Sequence, residues 1–99
     1  MSNKTQLYTV RANKGRARIW IEGARLAGAG FTHHAAYGVH SFPDMVALTL
    51  ASDGKRKVSG APARPIIDLC GKSCAPFVTG DDVEITYKSG TIFIRRVSK

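Results

Sequence analysis

The sequence predicts a mainly β, single-domain protein made of two diverged copies of one strand–turn–hairpin unit. Three observations lead there. Short alternating apolar segments rich in Ile, Val and aromatic residues recur along the chain, the period-two pattern of half-buried strands. Anchoring Phe31 on Phe77, an offset of 46, brings Tyr37 onto Val83, Val39 onto Ile85, Val46 onto Ile92 and Leu48 onto Ile94. Upstream, Ile19 and Ile21 match Ile67 and Leu69 at an offset of 48, so a two-residue indel separates the first strand from the Phe. With 99 residues, the chain can build one core and not two.

Each element follows in order. Residues 1–17 are a basic N-terminal arm carrying Lys4, Arg11, Lys14 and Arg16 without an acidic residue, and Leu7-Tyr-Thr-Val10 within it is a candidate edge strand. The first unit, residues 18–50, opens with the alternating strand Arg18–Glu22. A turn or short helix over Gly23–Gly30 follows, curtailed by Gly28 and Gly30. Tyr37–Phe42 and Met45–Leu50 then form a hairpin around Pro43-Asp44. Residues 51–64 read as a basic linker rich in Gly, Ser and Pro, in which Lys57-Val-Ser59 extends a strand. The second unit, residues 65–97, repeats the plan. It has a strand at Ile66–Leu69, a turn at Gly71–Pro76, and a hairpin of Asp82–Tyr87 and Thr91–Val97 with Gly90 in its turn. An isolated hairpin cannot bury its own apolar face, whereas two facing copies can. The duplication therefore predicts a pseudo-two-fold core of Ile19, Ile21, Phe31, Val39, Leu48, Ile67, Leu69, Phe77, Ile85 and Ile92. A monomer of two halves then replaces a symmetric homodimer, and further dimerisation stays open.

The second unit, through Phe77-x-x-Gly-Asp-x-Val-x-Ile85 and Gly90-x-Ile-x-Ile94, resembles the AbrB/MazE-like swapped-hairpin family. The first unit, through Gly23-x-x-Leu-x-x-Ala-Gly-Phe31, resembles the SymE-type proteins of that superfamily. The chain as a whole is similar to the tandem region ahead of the catalytic domain in some phage and prophage cytosine-5 DNA methyltransferases. The residues that carry this are Arg18-Ile-Trp-Ile-Glu-Gly-x-x-Leu-x-x-Ala-Gly-Phe31 and Pro65-Ile-Ile-Asp-Leu69. The resemblance implies a single-chain pseudo-dimer of two AbrB-like units forming a small intertwined β-barrel with one or two short helical turns. It also implies a DNA-binding role and a mobile-element setting. The chain departs from the pattern at His34, which stands where the second unit has Gly80, and in the first hairpin, which lacks the Gly-Asp pair. There is no Pro-Cys nucleophile motif and no Gly-rich cofactor loop, so methyl transfer is not expected.

Fifteen Lys and Arg face seven Asp and Glu, a formal charge of +8 that favours polyanionic partners. The cations fall into three groups. Arg11, Lys14, Arg16, Arg18 and Arg25 surround the first strand; Lys55, Arg56, Lys57 and Arg64 lie in the linker; Arg95, Arg96 and Lys99 end the chain. Pseudo-symmetry makes the starts of the two opening strands equivalent, so the first two groups are expected on one surface that contacts phosphates. The third is expected to be a solvated strand end. The expected function is that of a nucleic-acid-binding accessory or regulatory protein of phage or mobile-element type, with DNA or RNA as partner. The alternative is an anti-defence inhibitor (anti-restriction or anti-CRISPR) that binds a host defence or nucleic-acid-processing protein complex. A third reading is a SymE-like RNase toxin, although no residue set here defines that activity.

No enzyme is expected. His33, His34 and His40 have no carboxylate placed by spacing to orient them, so no catalytic residues are assigned. Cys70 and Cys74, with those histidines, match no common zinc spacing. They read as small buried hydrophobes, with no metal and no cofactor. Trp20 points away from Ile19 and Ile21 and either covers a second small cluster with the N-terminal arm or stacks on a base. Asp53-Gly54 and Asp81-Asp82 read as turn chemistry. No apolar run approaches a membrane span and the N-terminus shows no apolar h-region, so no membrane partner is expected and the cytoplasm, including the nucleoid, is the expected location.

Overall fold

The computed structural model describes residues 4–74 and 76–97. Its strands are β1 (Lys4–Thr9), β2 (Arg11–Asn13), β3 (Arg16–Glu22), β4 (Ala36–Phe42), β5 (Met45–Leu50), β6 (Arg56–Lys57), β7 (Ser59–Ala61), β8 (Arg64–Cys70), β9 (Asp82–Lys88) and β10 (Thr91–Arg96). Helix α1 (Ala24–Gly28) follows β3, and one 3-10 turn (Gly71–Cys74) follows β8. The strands form two antiparallel sheets, one in the order β1-β9-β10-β5-β4-β6 and the other in the order β2-β3-β8-β7. The expected edge strand in the N-terminal arm is β1. Residues 51–64, expected as a linker, carry β6 and β7, each hydrogen-bonded into a different sheet. Among the described residues no helix is long and apolar enough to cross a membrane.

The backbone pairing recurs along the chain. In β2–β3, Arg11 faces Arg18 and Asn13 faces Arg16; forty-eight positions on, in β7–β8, Ser59 faces Ile66 and Ala61 faces Arg64. The Val10 N–H donates to Asp81 O and Val10 O accepts from the Gly80 N–H. Val58 makes the matching pair with Ala35 O and the His34 N–H. At these two valines, both buried, the chain leaves the six-stranded sheet and enters the four-stranded one. The ladder β3–β8 is symmetrical about Trp20 and Asp68, with Ile19 opposite Leu69 and Ile21 opposite Ile67. The ladder β5–β10 is symmetrical about Ala47 and Phe93, with Val46 opposite Ile94 and Leu48 opposite Ile92. The offsets of 46 and 48 read from apolar side chains thus reappear in backbone hydrogen bonds, and they reach upstream into the arm and the supposed linker.

The core lies between the sheets, built from the inward residues of alternating strands. Nine of the ten expected core residues are buried, joined by Val10, Leu26, Tyr37, Val46, Val58, Val83, Tyr87 and Ile94. Val39 is the exception and is only half-buried. Its counterpart Ile85 lies on β9, which β1 flanks over six residues. Strand β4 is flanked by β6 over only two, Ala36 and Tyr37, so the sheet stops short beside Val39. Helix α1 ends where Gly30 takes a φ of 93°: its N–H donates to Ala27 O and the next N–H, of Phe31, donates to Leu26 O. That is a Schellman stop, sealed by the buried pair Leu26 and Phe31, and it accounts for the Leu-x-x-Ala-Gly-Phe spacing.

Candidate nucleic-acid interface

The nine basic residues singled out from the sequence divide into four places. Arg11, Lys14, Arg16 and Arg18 lie on the β2–β3 hairpin, Arg25 on α1, Lys55, Arg56 and Lys57 on or beside β6, and Arg64 at the start of β8. They do not form the single surface expected. Strands β3 and β8 run antiparallel, with Arg18 opposite Cys70 and Glu22 opposite Ile66, so their starts lie at opposite ends of the four-stranded sheet. Arg64 sits at the far end, 3.9 Å from Glu22.

Besides Arg64, two of the nine are occupied. Arg56 is half-buried, its Nη2 donates to Asp68 O at 3.3 Å and its Nε is buried without a partner among the described residues, so part of the guanidinium is engaged within the protein. It fills the place that the Tyr8 hydroxyl fills on β3, where it accepts from the Trp20 N–H at 3.0 Å. Arg18 makes two hydrogen bonds of 2.9 Å to the Asp68 carboxylate, and this pairing raises the Arg18 pKa above its already high value. Asp68 thereby relieves the juxtaposition of Arg11 and Arg18 across the β2–β3 ladder, where like charges otherwise repel.

Of the remaining six, Arg25, Lys55 and Lys57 are exposed on α1 and on or beside β6, and the other three stand together at the tip of the β2–β3 hairpin. Arg11, Lys14 and Arg16 are exposed, and none has an ion pair or side-chain hydrogen bond among the described residues. Lys14 and Gly15 form the two-residue tip of the hairpin with φ of 54° and 80°, the type I′ geometry that follows the strand twist. Lys72, which the sequence reading passed over, joins them. The 3-10 turn packs against β3, and the Arg16 side chain lies in ordinary contact with Gly71, its Cδ 3.5 Å from where a Cβ would stand. Lys72 is exposed and also without an ion pair among the described residues. Four free cations from two distant segments thus share one end of the sheet, while Glu22, Asp68 and Arg64 occupy its middle and far end.

The other singled-out residues are explained by structure. Arg96 is not a solvated strand end: it binds Asp81 and the Pro76 carbonyl and lies over the Phe77 ring, 5.5 Å from its centroid. Arg95 is exposed, and Lys99 lies outside the described residues. Asp81 also accepts from the Val78 N–H, as its turn reading expects, whereas Asp82 opens β9 and accepts across the β1–β9 ladder from the Thr9 hydroxyl. Cys74 is buried with its thiol donating to Leu69 O, and burial pushes its pKa up to about 11, so it is an inert packing group. Cys70 is half-exposed rather than buried. The His33 and His34 rings stack at 3.7 Å, and among the described residues no group of His, Cys, Asp and Glu is arranged to hold a metal. Comparison of the chain with protein-family models, characterised proteins and solved structures gives no match.

Proposed function

We propose that this protein binds nucleic acid through the β2–β3 hairpin end of its four-stranded sheet and acts by binding rather than by catalysis. The observation that carries the reading is the set of four exposed, unpaired cations: Arg11, Lys14, Arg16 and Lys72. Cations already paired to carboxylates add little to phosphate affinity. These four release counterions when a phosphate backbone takes their place beside them. Affinity from such contacts is largely independent of sequence, which fits an accessory or regulatory role. The proposal extends to the fold. The recurring hydrogen bonds support an internal pseudo-dimer of two swapped-hairpin units of the AbrB-like kind, whose sheets are the walls of the expected short barrel.

A gel shift at low salt tests the reading. Lys14→Glu with Arg16→Glu should abolish binding. Lys88→Glu with Arg95→Glu, on the outer face of the six-stranded sheet, should leave most of it. Absence of binding by the unaltered protein, or equal loss in both double variants, overturns the assignment.

A second reading, a protein partner of the anti-defence kind, has one observation in its favour. Leu7 and Phe42, 73% and 47% exposed, stand on the outer face of the six-stranded sheet in register with Glu84, Arg95 and Met45. Capture of a host protein that survives nuclease treatment and is lost in Phe42→Glu would favour it.

A further inference from the structure

Strand β2 pairs with β3 only as far as Arg11 opposite Arg18, but β3 runs on to Glu22. Beyond Arg11 the β3 edge has no neighbouring strand, and the Trp20 N–H is taken instead by the Tyr8 hydroxyl. The step leaves a groove of about 410 Å³ lined by Tyr8, Arg11, Ala12, Arg18, Trp20 and Glu22. That is the scale of a single nucleotide and too small for a duplex.

The groove wall is fixed in place. The Trp20 indole N–H donates to Glu22, and the Arg18 guanidinium lies 4.6 Å from the ring centroid. Arg18 is itself held by the two bonds to Asp68. A guanidinium covers one face of an indole, and Trp20 remains 37% exposed. An indole held this way loses little freedom on stacking, because its rotamer is already set.

We infer that this groove takes an unpaired nucleobase, so that the ligand of the basic hairpin end is single-stranded nucleic acid. The inference rests on the nucleic-acid reading above and narrows it. The base stacks on Trp20, Arg11 at the groove mouth holds the adjoining phosphate, and Lys14, Arg16 and Lys72 follow the backbone onward. The Glu22 carboxylate accepts from an N–H of the unpaired base, such as the imino N–H of thymine or uracil. A base inside a duplex is stacked on both faces and paired along one edge and cannot reach the indole, whereas aromatic stacking on unpaired bases tolerates any sequence.

Trp20 is the only tryptophan in the chain, so its fluorescence reports the groove directly. The experiment titrates the full chain with an oligo(dT) strand, an oligo(U) strand and the oligo(dA)·oligo(dT) duplex at low salt, following both Trp20 emission and anisotropy of labelled probe. The expected result is quenching by the single strands and not by the duplex. Trp20→Ala should cost roughly 10- to 100-fold in single-strand affinity, with duplex affinity unchanged. Trp20→Phe, which keeps a stacking ring and protects against misreading a folding defect, should recover most of the loss. The DNA and RNA arms decide which strand chemistry is preferred. Equal binding of duplex and single strand without quenching, or single-strand affinity untouched by Trp20→Ala, overturns the inference alone, provided Lys14→Glu with Arg16→Glu still abolishes binding. Binding of no probe overturns this inference and the broader reading together.

Discussion

Cutting the chain between Ser52 and Asp53 separates the strands into two sets that need each other. The pairings β1–β9, β3–β8, β5–β10 and β4–β6 all cross the cut, and each half retains only two hairpins. An isolated hairpin is marginal in water, so neither half should fold alone. Mixed, they should rebuild the same two sheets as a one-to-one complex. The intact connection Ala51–Lys55 supplies an effective concentration on the order of 1 mM. At about 10 µM of each half, losing it costs a factor of roughly 100, or about 2.7 kcal/mol. For a chain this size that lowers Tm by about 11–22 °C, and each further tenfold dilution removes about 1.4 kcal/mol more. Circular-dichroism melts of each half and of the mixture at several concentrations make the measurement. A cooperative melt from either half alone, or a mixture whose Tm ignores concentration, would refute the reasoning.

Two further predictions concern stability. His34 holds a φ of 73° at the place where Gly80 holds 95°, and a residue with a Cβ is strained there. His34→Gly should therefore stabilise by roughly 1 kcal/mol, raising Tm by about 4–8 °C, and an unchanged or lower Tm would contradict the strain. Burial lifts the Tyr87 pKa from 10.0 to about 12 and that of Cys74 from 9.0 to about 11. Both folded-state values exceed the unfolded ones, so their contribution is complete below pH 9.0 and is lost as pH rises through 11 and 12. Urea melts across that range should show stability falling from pH 9.0 upward, and Tyr87→Phe with Cys74→Ala should flatten the fall; an equally steep fall in the double variant would count against the assignment.

How much of this was legible in the sequence depended on which atoms carried the signal. The hairpins β4–β5 and β9–β10 were readable because their inward residues alternate and their turns carry Pro43-Asp44 and Gly90. The upstream recurrence was not. Tyr8 corresponds to Arg56 and Thr9 to Lys57, and only Val10 and Val58 share a type, because backbone hydrogen bonds repeat without asking for like side chains. Gly, Ser and Pro in residues 51–64 therefore read as a linker, although β6 and β7 run through it. The same blindness affected the basic residues. Arg11, Lys14 and Arg16 were found because they are neighbours in sequence. Lys72 was missed because the 3-10 turn that carries it comes against β3 and the Arg16 side chain only in the fold. The charge of Arg56 reads as surface, and nothing in the sequence shows that its guanidinium also serves the Asp68 carbonyl on β8.

The claim that the β2–β3 hairpin end is a phosphate-binding surface is tested most directly by the salt dependence of affinity. Four free cations predict a slope of log K against log salt of about −3.6 on duplex DNA and about −2.8 on a single strand, and Lys14→Ala with Arg16→Ala should halve either value. A flat response in the unaltered protein, or a slope that the double variant leaves unchanged, would contradict the account.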